Sequence, residues 1–91
     1  MPVKREMNGI ILGSCIRAYR EKLKDNDPKW TQEYVAEQIG LNEKHYGKIE
    51  RGHYPDPHFS VIRDLSQVLD FSIDELSEKI TRELEKQNKQ S

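Results

Sequence analysis

TQEYVAEQIGLNEKHYGKIERG, residues 31–52, decides the fold. Behind Gln32, which opens a first short helix, Val35, Ala36 and Ile39 recur at helical spacing. Gly40 breaks the pattern where a helix end demands positive φ, and Leu41 fills the corner after it. Asn42 is a good N-cap, and Tyr46 and Ile49 carry the apolar spacing into a second helix. Arg51 brings a positive charge to the C-terminus of that helix, and Gly52 follows as its C′ residue. Ala36 is small where a crossing helix must approach closely. The segment is two short helices folded over a tight turn, the second free on one face.

A small residue, a glycine four positions on, and apolar residues ten and thirteen positions on make a specific helix-turn-helix pattern. On these residues the chain resembles the Xre/Cro/repressor superfamily, of the lambdoid phage repressor type. The likeness extends upstream to Leu12-Gly13, Ile16-Arg17 and Arg20-Glu21, which look like the first helix of that family. Downstream, Ile49-Glu50-Arg51-Gly52 matches its usual helix ending. Val61 to Leu69 and Ser72-Ile73-Asp74-Glu75-Leu76 look like its last two helices. The resemblance covers about residues 12–76. It implies an all-α, five-helix, lambda-repressor-like DNA-binding domain in which helices two and three form the helix-turn-helix.

The rest of the chain extends this reading. Ninety-one residues suit one domain, with a core able to fold unaided but little to spare. The domain core is expected over residues 8–78, with a C-terminal helix extension and frayed tail over 79–91. The first helix is read over residues 8–24, with Leu12, Ile16, Tyr19 and Leu23 inward, ended by Asp25-Asn26-Asp27-Pro28. Trp30 precedes the second helix as a hydrophobic staple against Val35 or a near neighbour. Helices two and three are expected over 31–39 and 42–51. The prolines at 55 and 57 keep residues 53–58 out of helix. Helix four follows over 59–69, with Val61, Ile62, Leu65, Val68 and Leu69 buried. Ser72 and Glu75 have capping-box spacing for helix five, whose stripe Ile73, Leu76, Ile80 and Leu84 runs past the usual domain end.

Several function classes are excluded. The single Cys15 rules out an internal disulfide framework and reads as a core thiol in a reducing, cytoplasmic setting. Its lack of a His or Asp at a telling distance argues against an enzyme, so no catalytic residue is assigned. His45, His53 and His58 lack the paired spacing of a zinc site, and no glycine-rich phosphate loop appears, so no metal or cofactor is expected. The longest apolar run, Ile10-Ile11-Leu12, is too short for a membrane span. No built-in sensor or small-molecule effector site is apparent. The net charge of −1 is low for a DNA binder, but residues 1–24 hold six Lys/Arg against two acids. Such a dipolar molecule still presents a positive face to phosphates.

At about 100° per residue, Glu43, Lys44, Gly47 and Lys48 share one face of helix three, opposite Tyr46 and Ile49. Glu and Lys on one helical face are ordinarily a solvated surface, and it is the surrounding motif that makes this face a reader. In proteins of this type the exposed face enters the major groove N-terminus first. Carried over by position, Glu43, Lys44 and Lys48 meet base edges. Lysine donates to guanine and carboxylate accepts from cytosine. Gly47 has no side chain and allows close backbone approach. Asn42 caps first and contacts bases second. Gln32 matches the family's backbone-contacting glutamine, at a helix start whose amides favour an anion. Arg17 and Lys29 add charge toward phosphates, and His45 either touches phosphate or packs half-buried. After helix three, His53, Tyr54 and His58 stand where relatives often place basic residues. Affinity is accordingly expected to rise as pH falls from about 8 to 6.

By the same resemblance, Arg20 of helix one pairs with Glu50 near the end of helix three and holds the recognition helix in place. Double-stranded DNA is the expected partner. A homodimer is expected on two half-sites about 34–36 Å apart. Ile80 and Leu84 either make the dimer contact or pack back on helix one. The chain is thus read as a transcription regulator, most simply a repressor of a palindromic operator. The alternatives are a protein-interaction module that keeps the fold without DNA, and a restriction-modification controller or antitoxin-type regulator.

Overall fold

The computed structural model describes residues 4–89, which form α1 (Lys4–Asn26), α2 (Gln32–Gln38), α3 (Glu43–Glu50), α4 (Phe59–Val68) and α5 (Ile73–Lys89). No strand occurs among the described residues. Leu12, Ile16, Val35, Ala36, Tyr46, Leu65, Leu69 and Leu76 form the buried core, drawing on all five helices or their caps, and Ile49 is buried as well. At the core edge, Tyr19 and Phe71 stack at 4.5 Å, joining α1 to the residues before α5.

The helix ends follow side-chain chemistry. Thr31 caps α2 by accepting from the Tyr34 amide, and Asn42 caps α3 by accepting from the His45 amide at 2.9 Å. Ser72 does the same for α5 through the Glu75 amide at 3.2 Å. At the other end of α2, the amides of Gly40 and Leu41 return to the carbonyls of Glu37 and Ala36 with Gly40 at φ +71. This is a Schellman closure, which needs a left-handed residue. α3 closes the same way through Gly52 at φ +83. α4 does so through Asp70 at φ 57, with the Phe71 amide on the Ser66 carbonyl at 3.0 Å.

Two expectations are corrected. α1 begins one turn before residue 8 and continues past Asp25 to Asn26. Its early part is tied down by a tertiary contact, the Asn8 side-chain amide donating to the Pro55 carbonyl at 3.2 Å. The turn comes later, where the Asp27 side chain accepts from the Lys29 amide at 3.1 Å. On α4 only Leu65 and the C-cap Leu69 are buried, whereas Val61, Ile62 and Val68 lie half-buried at the rim. α5 runs to Lys89, within the C-terminal extension read over 79–91; residues 90 and 91 lie outside the described residues.

Trp30 meets Tyr34, a near neighbour, edge-on at 5.2 Å and packs at the edge of the core that holds Val35. Gly13 of α1 lies against the end of α3: a Cβ there would stand 2.4 Å from the Ile49 carbonyl oxygen and 2.6 Å from that of Glu50. Only a bare backbone permits this approach, which sets the distance between α1 and α3.

Candidate nucleic-acid interface

α3 has two unlike faces. Tyr46, Ile49 and Glu50 are buried, while Glu43, Lys44, His45 and Lys48 are exposed. Beneath the helix the Glu50 carboxylate gathers donors from three helices. Arg20 of α1 donates from Nε to Oε2 at 2.7 Å and from Nη2 to Oε1 at 3.0 Å. Gln32 of α2 donates from Nε2 to Oε1 at 3.0 Å, and the Tyr46 hydroxyl donates to Oε2. The remaining Arg20 Nη1 donates to the Trp30 carbonyl at 3.2 Å. This forked geometry saturates the carboxylate.

The cluster shifts its own ionisation. Burial pushes the Glu50 carboxyl up, but the hydrogen bonds from Arg20, Tyr46 and Gln32 together outweigh it and hold its pKa below the usual value. The hydrogen bond to Glu50, against the cost of burial, raises Arg20. Burial first and the bond to Glu50 second push the Tyr46 phenol far up. Glu50 is thus ionised at neutral pH and Tyr46 is a neutral donor. A charged pair this buried, with side-chain exposures of 7% and 1%, depends on both partners.

The outer face holds the predicted readers. Lys44 and Lys48 point outward without a carboxylate partner among the described residues, and a shallow depression beside them is bounded by Gly40, Leu41, Asn42 and His45. Asn42 commits its side-chain oxygen to the cap, which leaves its amide N–H groups as donors. Gly47 does not lie bare: it is buried, because Arg51 and Gln32 close over it. Arg51 is exposed at the C-cap, and residue-by-residue reading gave it only an end-of-helix role. Its spacing from Lys44, Gly47 and Lys48 was the available signal, since seven residues return it to the same face.

The predicted phosphate contacts divide. Gln32 points inward to Glu50, though a carboxamide has a second N–H to offer. Arg17 is engaged by Glu21 at 2.7 Å, an exposed i,i+4 pair. Lys29 lies 3.7 Å from Asp27, and 5.6 and 5.5 Å from the ring centres of Trp30 and Tyr34. Such surface pairs are worth little and yield readily to a phosphate. His45 stacks on Tyr54 with ring centres 4.8 Å apart, which pins the loop after α3 onto the recognition helix. His53 and His58 are exposed, and His58 precedes α4 without a side-chain capping bond.

Comparison with known families places the geometry. The helix-turn-helix family HTH_3 matches residues 16–76, more than half of the chain. The chain belongs to this family. It is therefore an Xre/Cro-type, DNA-binding helix-turn-helix domain of lambda-repressor-like fold, a non-catalytic class. Neither the curated proteins nor the solved structures provide a significant match. Among the described residues no group of His, Cys, Asp and Glu could hold a metal, and no helix is long and apolar enough to cross a membrane.

Proposed function

We propose that this helix-turn-helix protein is an intracellular transcription regulator that binds a partly palindromic operator as a dimer, most simply as a repressor. α3 enters the major groove, where Lys44, Lys48 and Glu43 contact base edges and Asn42 assists from the cap. Gln32, Arg17, Lys29, His45, His53 and Tyr54 line the phosphates on either side. The observation that carries this reading is the division of charge: Arg17, Arg20 and Lys29 each face a carboxylate, whereas Lys44 and Lys48 on the outer face of α3 do not. Cations free of a carboxylate partner on the exposed face of α3 suit base contacts in a groove.

Dimerisation is assigned to the later part of α5. Ile80 packs against the core edge, so Leu84, one turn further and half-buried, is the better contact. A second reading, a protein-binding module, draws on the exposed acids Glu33 and Glu37 of α2 and Glu75, Glu78 and Glu85 of α5. Selection of genomic fragments on the purified protein at two salt concentrations separates the two. Enrichment of a short inverted repeat, lost in Lys44→Ala/Lys48→Ala, supports the operator reading. No enrichment at either salt moves the function to a protein partner.

A further inference from the structure

Arg51, the C-cap of α3, folds back along its own helix. A cation near a helix C-terminus is favoured by the helix dipole. Here the guanidinium lies back over Gly47, its Nη1 3.1 Å from where a Cβ on that residue would stand. Helical side chains lean toward the N-terminus, so the charge covers ground about one turn before its own Cα. Across the same spot lies the Gln32 Oε1, 3.4 Å from that Cβ position. The bond from Gln32 Nε2 to Glu50 sets the orientation of this carboxamide, leaving its oxygen on the Arg51 side. No carboxylate pairs with Arg51 among the described residues.

We propose, on the reading that this face enters a major groove, that Arg51 is a specificity-determining residue that reads a guanine through O6 and N7 from a seat formed by Gly47 and Gln32. The planar fork of arginine matches the guanine edge with two parallel hydrogen bonds, a fit that the point charge of a lysine ammonium meets less well. The seat brings the fork back from the helix end to the level of Gly47, on the α2 side of the face that carries Lys44 and Lys48. It also gives a reason for glycine inside α3. Glycine weakens a helix interior, and no positive φ is recorded at this position. Any Cβ there would press on the guanidinium that the notch receives.

The test measures binding of the full chain to the duplex enriched from genomic fragments, to versions of it with each guanine replaced, and to a random duplex. Arg51→Gln should lose about tenfold or more on the enriched duplex and become indifferent to one guanine, while Arg51→Lys keeps part of that preference and binds the random duplex as before. Gly47→Ala should show the same selective loss while its helix melts no earlier, since alanine favours helix. Equal weakening of Arg51→Ala on enriched and random duplexes, restored by Arg51→Lys, would overturn base reading in favour of a phosphate contact. Gly47→Ala binding like the wild type would overturn the seat. A wild-type chain that prefers no duplex defeats the DNA-binding reading itself, a result visible before any variant is compared.

Discussion

At the residue scale, the Glu50 side chain accepts hydrogen bonds from three other side chains. It joins α1, α2 and α3 through Arg20, Gln32 and Tyr46, and it does so next to the reading face. Arg20→Ala leaves its carboxylate buried and short of its strongest partner, and should cost about 3–5 kcal/mol in urea unfolding. A loss below about 1 kcal/mol would mean the pair is effectively solvated. The same carboxylate makes stability depend on pH. Its folded-state pKa is lowered, so the folded chain binds fewer protons there than the unfolded chain does. The contribution is full above the ordinary carboxylate range and is lost as pH falls through the folded-state value. Glu50→Gln should accordingly flatten the acid side of the melting-temperature profile. Gly13→Ala is a separate case, since its Cβ would meet the Ile49 carbonyl at 2.4 Å. Overpacking against backbone should cost about 1–3 kcal/mol or more by the same unfolding measurement.

At the element scale, the helix ends show which features local sequence carries. Asn42 and Ser72 are visible as caps because the capping bond spans only three residues, whereas Thr31, read as the first residue of helix two, proves to be its cap. Gly40 and Gly52 mark the ends of α2 and α3 for the same local reason. The end of α4 carries no such mark, because Asp70 occupies the left-handed position. Asp70→Gly should raise stability by about 0.5–1 kcal/mol, as left-handed backbone strains a residue with a Cβ. An unchanged or lower melting temperature would show that the Asp side chain offsets the strain. Long-range features were harder to read. Gly13 reads locally as a poor helix residue, and its purpose appears only when the end of α3 lies against it. Gln32 reads as an exposed residue at a helix start until Glu50 is brought beneath it. The Arg51 position on the reading face was present in the spacing, but the notch at Gly47 shows only in three dimensions.

At the scale of the whole molecule, a chain of net charge −1 relies on where its cations lie. Specific binding should weaken steeply with salt, the logarithm of affinity falling by about 0.9 for each phosphate neutralised per tenfold increase. The proposed association through α5 makes a contrasting pair of variants informative. Ile80→Glu should destabilise the fold, because Ile80 packs on the core edge, whereas Leu84→Glu should leave the melting temperature nearly unchanged and shift sedimentation toward monomer. The reverse pattern would move the dimer contact elsewhere. The most direct measurement of DNA reading by α3 is an amide chemical-shift map of the full chain titrated with the enriched duplex. The expected result is perturbation centred on Gln32 and on Asn42 through Arg51, with α5 changing only through dimerisation. Perturbation confined to α5, or none at any residue of α3, would contradict it.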